Sequence, residues 1–144
     1  MKKLAGALVL LGAVGAWLWG QTPSKAVIVN PGEAKWTREK NAPADTESIM
    51  IRQDAATGGM EIMVRFPAGH VFKPHWHESN ERVMVTEGQL AVKLGDRESH
   101  VEVGGYAFLP PREMQYLTCT QKSRCTMYLA WDGNPATHSE ALPK

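Results

Sequence analysis

The chain has 144 residues, 43% of them hydrophobic and 22% charged, which is enough for one compact domain and too few for two of ordinary size. Its 16 basic and 15 acidic residues are spread along the sequence and give a formal net charge of +1. This balance gives no electrostatic reason to expect nucleic acid or anionic lipid as a partner.

Residues 1–20 differ in composition from the rest of the chain. Lys2 and Lys3 precede the uncharged apolar run Leu4–Leu18, a pattern typical of a secretory signal. The run is about 15 residues long, whereas a bilayer crossing needs ~18–20. We therefore predict a signal peptide over residues 1–20, with a boundary no later than residue 26, and a periplasmic or secreted protein. An uncleaved membrane anchor is the alternative.

Beyond this segment, apolar and polar residues alternate with a period of two, which is typical of β-strands. Ile62, Val64 and Phe66 alternate with Met63 and Arg65, and the same pattern recurs in the segments 82–86 and 90–94. Glycine and proline turn signals separate these runs at intervals of roughly 8–12 residues. Many short strands at this spacing predict an all-β sandwich or barrel.

The predicted barrel occupies residues 27–132. Its opening segment, Ala26–Val29, is predicted as an edge strand, and Asn30–Thr46 as irregular chain. Residues 133–144 are interpreted as a C-terminal tail of loop structure. We find no repeat and no linker that would divide this unit.

Two cysteines, Cys119 and Cys125, flank a polar turn at residues 121–123. If that turn closes a symmetric hairpin, the cysteines lie opposite each other at a Cα separation of roughly 4.5–5.5 Å, within disulfide range. An oxidising compartment would permit the bond. We predict a disulfide; two small buried hydrophobic residues or a redox pair are the alternatives, although the spacing of a CxxC redox motif is absent.

A histidine cluster is the strongest chemical signal. His75 and His77 are two residues apart, so on a strand they project from one face while Trp76 points away. Glu81 begins the next predicted strand with the parity of Val83, on the apolar and therefore inward face. An inward carboxylate is costly unless it is paired, hydrogen-bonded or bound to a cation.

Two imidazoles and one carboxylate form a donor set that suits non-haem Fe(II), and also Mn, Ni, Cu or Zn. His75, His77 and Glu81 are therefore predicted metal ligands. A hydrogen-bonded polar cluster without metal is the alternative interpretation.

At these residues the sequence resembles the cupins, in particular the small single-domain bacterial cupins of the RmlC-like, cupin type-2 kind. The first motif reads Gly69-x5-His75-x-His77-x3-Glu81-x6-Gly88, and the second begins with Gly104-x5-Pro110. The second motif then departs from the family, because Arg112 stands where a glycine is usual and Gln115 where a histidine is usual. The resemblance implies a jelly-roll β-barrel, preceded here by the signal segment.

The departure at Gln115 bears on the metal. A glutamine oxygen is a neutral, hard donor that binds borderline metals more weakly than imidazole does. Gln115 shares the inward parity of Leu117, so we predict it as the fourth ligand, with a buried amide that hydrogen-bonds Glu81 or the backbone as the alternative. Arg112 is interpreted as an exposed, solvated side chain, or else as an anchor for a substrate carboxylate.

The residues outside this set are weaker candidates. His70 is predicted as a loop residue, and His100 and His138 as surface residues. We find no nucleophile triad, nucleotide-binding glycine loop or zinc-type cysteine cluster.

If the protein is an enzyme, the donor set favours a metal-dependent oxidoreductase of the dioxygenase type acting on a small molecule. Resemblance to the cupin dioxygenases implies Glu81 as a potential proton acceptor. A non-catalytic small-ligand or metal-binding module is the second hypothesis, and a metal-free structural barrel is the third. The fold alone does not select the reaction. A homodimer is also implied.

Overall fold

The computed structural model describes residues 25–38, 45–120 and 123–142. Within these ranges the chain forms ten β-strands and no helix, which confirms the predicted all-β class. The strands are β1 (Glu47–Gln53), β2 (Gly58–Phe66), β3 (Trp76–His77), β4 (Glu81–Glu87), β5 (Leu90–Leu94), β6 (Arg97–Val101), β7 (Tyr106–Leu109), β8 (Gln115–Cys119), β9 (Cys125–Gly133) and β10 (Thr137–His138). The predicted signal segment lies outside the described residues, among which no helix is long and apolar enough to cross a membrane.

Two sheets enclose the core. The larger has the strand order β1-β2-β9-β4-β7 and the smaller the order β6-β5-β8, while β3 and β10 form a separate short pair. Val83 and Met127 from the larger sheet pack in one buried cluster with Leu90 and Leu117 from the smaller. The inward parity predicted for the alternating segments is correct, because Val83 and Leu90 are fully buried between the sheets.

The glycines at the two ends of the first motif, Gly69 and Gly88, adopt backbone conformations that other residues avoid. Gly88 has a φ of 79°, and a side chain there would bring its Cβ within 2.2 Å of the carbonyl oxygen of Arg124. Gly69 has a φ of 75°. Only glycine enters this region without steric cost. Gly88 lies where the chain leaves the larger sheet after β4 and enters the smaller at β5.

The predicted disulfide is present, but the hairpin suggested for it is not. Cys119 and Cys125 are bonded with a Cα separation of 5.7 Å. However, β8 belongs to the smaller sheet and β9 to the larger, so these strands do not pair. The segment between them, of which residues 121 and 122 lie outside the described ranges, carries the chain from one sheet to the other. The disulfide therefore joins the two sheets across one end of the core.

We expect replacement of both cysteines by alanine to lower the free energy of unfolding by about 2 kcal/mol, because closing so short a loop removes little chain entropy. Denaturant unfolding of the double variant measures the change, with the reduced wild-type protein as control. If the variant and the oxidised wild type unfold at the same denaturant concentration, the bond does not stabilise the fold.

Two sequence predictions for the ends of the domain are wrong. Ala26–Val29 forms no strand; Ile28 is 90% exposed, and the free edge of β1 is met instead by Thr37, which exchanges backbone hydrogen bonds of 2.9 and 2.8 Å with Ser48. The tail is not entirely loop, because its short strand β10 pairs with β3. No periodicity could reveal this pairing, since two residues are too few to display one.

Candidate metal centre

Three of the predicted ligands meet inside the fold. His75 directly precedes β3, His77 ends it, and Glu81 begins β4 with its side chain on the inner face of the larger sheet. They are 8%, 3% and 3% exposed, and one donor atom from each lies within 4.8 Å of the others. The strand parities therefore bring these groups together as predicted, while their binding of a metal stays a prediction.

The backbone fixes the orientation of both imidazole rings. Nδ1 of His75 lies 2.7 Å from the carbonyl oxygen of Lys73, and Nδ1 of His77 lies 3.0 Å and 3.1 Å from those of Pro135 and Ala136. A carbonyl only accepts, so each Nδ1 carries the proton and donates. In the neutral rings Nε2 then presents a lone pair, which is how histidine ligands of metals are commonly oriented.

The pair His77 and Glu81 requires a positive charge between its atoms. Nε2 of His77 lies 3.3 Å from Oε2 of Glu81, and that oxygen has no well-aligned hydrogen-bond donor among the described residues. Two lone pairs at this distance repel unless a proton or a metal ion lies between them. Burial lowers the pKa of His77, but the adjacent carboxylate of Glu81, with the Ala136 and Pro135 carbonyls, outweighs it and raises that pKa above its usual value.

Gln115 lies beside this cluster and is completely buried. Its backbone pairs with that of His75 through hydrogen bonds of 2.7 Å and 3.2 Å, so the two residues are direct neighbours across the strands. Neither Oε1 nor Nε2 of its side chain has a hydrogen-bond partner among the described residues. The alternative of an amide bonded to Glu81 or to the backbone is therefore not what the structure contains. A fully buried, unpartnered amide is costly, which favours an additional ligand of the site.

The cluster opens into a cavity of about 460 Å³, within the range of small-molecule sites. His75, His77 and Glu81 line it together with the apolar residues of the barrel interior and with Thr137 and Ser139 of the tail. Trp131 also lines the cavity. It lies on β9, directly opposite Glu81 on β4, and its ring centroid is 5.6 Å from that of His77. The donor groups thus face a largely apolar chamber.

The family profile described as the ChrR cupin-like domain matches residues 24–132, which is most of the chain. The chain belongs to this cupin family. A search of curated proteins gives no match. The resemblance drawn from the two motifs is therefore correct.

Solved structures share the cupin fold at low sequence identity. KdgF from Halomonas sp. is 18% identical with a TM-score of 0.61, over 76% of this chain and 94% of its own. An RmlC-like cupin from Shewanella frigidimarina is 16% identical with a TM-score of 0.62, over 78% and 93%. An oxalate oxidase in complex with the substrate analogue glycolate is 20% identical with a TM-score of 0.55, over 69% and 57%. At these identities the likeness shows the fold.

Arg112 of this cupin is a solvated side chain and not a substrate anchor. It is 62% exposed, donates hydrogen bonds of 2.9 and 2.8 Å to Glu78, and does not line the cavity. Its φ of 56° lies in the left-handed region that favours glycine, the residue that the resemblance leads one to expect at this position. His100 is exposed as predicted. His70 is a loop residue as predicted, but it also lines the cavity.

Sequence analysis missed the contribution of the C-terminal tail to the centre. Pro135 and Ala136 supply the carbonyls that hold His77, and His138, predicted as a surface residue, stacks on Trp76 with 4.2 Å between ring centroids. The side chain of His138 is only 29% exposed. Backbone carbonyls carry no residue signature, so only the proline-rich composition of the tail hints at a fixed conformation.

Proposed function

We propose that this chain is an exported cupin that binds one divalent metal, Fe, Mn, Ni, Cu or Zn, and acts on a small molecule as an oxidoreductase of the dioxygenase type. The observation that carries the proposal is the convergence of two Nε2 lone pairs and a carboxylate oxygen at the buried end of a cavity. His75, His77 and Glu81 would hold the metal, and Gln115 would be its fourth ligand. A metal bound there would supply Lewis acidity or redox chemistry at its open positions.

The residues themselves divide the work of such a site. The carbonyls at Lys73, Pro135 and Ala136 keep the imidazoles in the ligating tautomer. Glu81 is the one carboxylate lining the cavity in the described chain, so it is also our candidate for accepting a substrate proton. The apolar walls exclude water from the reacting group and orient an apolar substrate.

A second candidate function is a non-catalytic module that binds a small ligand or the metal itself. The complete burial of Gln115 favours it, because a fourth protein ligand closes a tetrahedral site, as in structural metal centres. The two functions differ in the number of coordination positions that remain open.

Metal content and oxygen uptake separate these functions. After reconstitution with each of the five metals, we expect about one equivalent bound to the wild type and almost none to His75→Ala or His77→Ala. We then expect the loaded wild type to consume O2 with a member of a panel of phenols, thiols and small acids. Absence of bound metal refutes the site, whereas a loaded protein inert toward the whole panel supports the binding module.

Export and self-association complete the proposal. The buried Cys119–Cys125 disulfide supports export, because such bonds persist in oxidising compartments. N-terminal sequencing of the mature chain tests cleavage after the signal segment. Exposed Met84, Tyr106 and Phe108 on β4 and on the edge strand β7 support a homodimer, because a bare apolar edge invites association.

A further inference from the structure

Three aromatic rings line the cavity away from the metal centre. Phe66 ends β2, and His70 and Phe72 lie in the loop that follows it. The rings of Phe66 and His70 are stacked, 4.8 Å between centroids and 20° between planes. The Phe72 ring stands edge-on to both, at 4.5 Å and 4.7 Å. All three side chains are only partly buried, and although Phe66 and Phe72 also pack against the core cluster, all three line the cavity.

The register along β8 gives the distance between this aromatic trio and the metal centre. Cys119 donates to the carbonyl of His70, Phe72 to that of Leu117, and Gln115 and His75 bond to each other. The loop therefore runs along β8, with His75 at one end and His70 at the other. At ~3.4 Å per residue, Phe72 is anchored about 7 Å and His70 about 14 Å from the Gln115 end.

Apolar side chains connect the two ends. Leu117, Leu90 and Met127 line the same cavity, and none of their side chains offers a hydrogen bond. Burial lowers the pKa of His70, so near neutral pH its ring is uncharged and does not oppose an apolar guest. The cavity thus combines a polar end with a ring-lined end.

The charges at the polar end define the other half of the ligand. A divalent cation held by neutral imidazoles, a neutral amide and the single carboxylate of Glu81 leaves one positive charge uncompensated. A ligand with one anionic oxygen donor, such as a carboxylate, phenolate or enolate, neutralises it. Lys73 also lines the cavity, and its solvent-exposed positive charge adds to the preference for an anionic ligand.

From this geometry we infer that Phe66, His70 and Phe72 form an aryl subsite, and that the ligand of this cupin is a monoanionic oxygen donor joined by a short apolar spacer to an aromatic ring. The inference rests on the proposed metal site and specifies its ligand. Ring contacts in offset-stacked or edge-to-face geometry add affinity beyond the area they bury, which distinguishes an aryl group from an alkyl chain of equal size.

Hydroxamates test the subsite, because they chelate a metal through oxygen and can carry a phenyl group on spacers of different length. We expect calorimetric titration of the zinc-loaded protein to show that the best phenylalkyl hydroxamate binds about tenfold more tightly than acetohydroxamate, with an optimum at intermediate spacer length. Cyclohexyl analogues of the same length should bind less tightly than the phenyl compounds.

Variants locate the effect. Phe72→Leu and His70→Leu keep apolar bulk without the ring, and we expect each to remove most of the phenyl advantage while the affinity for acetohydroxamate stays unchanged. Tyr116→Leu, at an exposed aromatic residue on β8 that does not line the cavity, is the matched control and should retain the advantage. A protein that takes up no zinc refutes the metal site and this inference with it. A zinc-loaded protein without a preference for phenyl, or with a preference that both variants retain, refutes the aryl subsite alone.

Discussion

Replacement of Glu81 by glutamine is expected to remove most of the metal-dependent stabilisation while leaving the metal-free protein as stable as the wild type or slightly more so. The variant exchanges a carboxylate ligand for a neutral amide of the same shape, and we expect metal affinity to fall at least 100-fold. With metal at 100 times the wild-type dissociation constant, binding stabilises the wild type by about 2.7 kcal/mol and such a variant by about 0.4 kcal/mol.

The metal-free proteins respond differently because of where Glu81 lies. Its carboxylate is 3% exposed, and Oε2 faces Nε2 of His77 at 3.3 Å. An amide placed there loses the buried charge and can donate a hydrogen bond to Nε2. A ligand site whose polar groups lack full hydrogen bonding in the absence of the ligand lowers the stability of the unliganded protein, so that removing one of these groups does not destabilise it.

Thermal unfolding with and without metal measures both effects in one experiment. For a chain of this length the wild-type Tm should rise by about 5–10 °C on metal addition, and that of Glu81→Gln by about 1 °C. Glu78→Gln makes the same chemical change three residues earlier, on an exposed side chain paired with Arg112, and should keep the full metal response. If metal does not shift the wild-type Tm and Glu81→Gln loses several kcal/mol of stability, the cluster is a structural ion pair.

The first motif could be interpreted from the sequence because its information is local. The spacing of His75 and His77 fixes a common face on any strand, and the parity of Glu81 with Val83 fixes the inward direction. Each deduction needs only the two-residue period of a strand. In the structure the three donors lie within 4.8 Å of one another, as these two local rules predict.

The features that could not be predicted depend on how distant segments meet. Whether Cys119 and Cys125 face each other in a hairpin or across two sheets is decided by the partners of β8 and β9, which are β5 on one side and β2 with β4 on the other. The sequence between the cysteines is equally compatible with both. The short spacing of the two cysteines is therefore enough to predict a disulfide. It is not enough to predict whether that disulfide stabilises a hairpin or links two sheets.

Gln115 could be predicted only in part from the sequence. Its parity with Leu117 predicted the inward direction correctly, and both side chains are buried. That its amide finds no partner in the described part of the chain depends on every group packed around it, which strand periodicity does not determine. Only a metal titration of Gln115 variants shows whether this orphaned amide is a ligand.

The C-terminal tail leads to the second large expected effect, because it is the part of the centre that lies farthest along the chain from its ligands. We expect a chain that ends at Asn134 to bind metal about 10–100-fold more weakly than the full chain, since the acceptors that orient His77 are gone. Direct titration of metal into the folded metal-free proteins measures this.

The same truncation should also destabilise the metal-free fold. Trp76 is 3% exposed because His138 covers one face of its indole, and its Nε1 donates to the carbonyl of Glu140 at 3.0 Å. Uncovering about half of the ~200 Å² that an indole buries costs about 2.5 kcal/mol at ~25 cal/mol per Å². Denaturant unfolding reports this loss separately from metal affinity.

A chain that ends at Ser139 separates the two roles of the tail. It keeps the carbonyls of Pro135 and Ala136 and the stack of His138 on Trp76, but loses the acceptor for the indole N–H and the exposed carboxylate of Glu140 that pairs with His138, which contributes little. We expect its metal affinity to stay within about threefold of the wild type, while its stability falls by about 1 kcal/mol, the ordinary value of one hydrogen bond. If the chain ending at Asn134 binds metal as tightly as this longer one, the carbonyls do not position His77, and the tail serves only to cover Trp76.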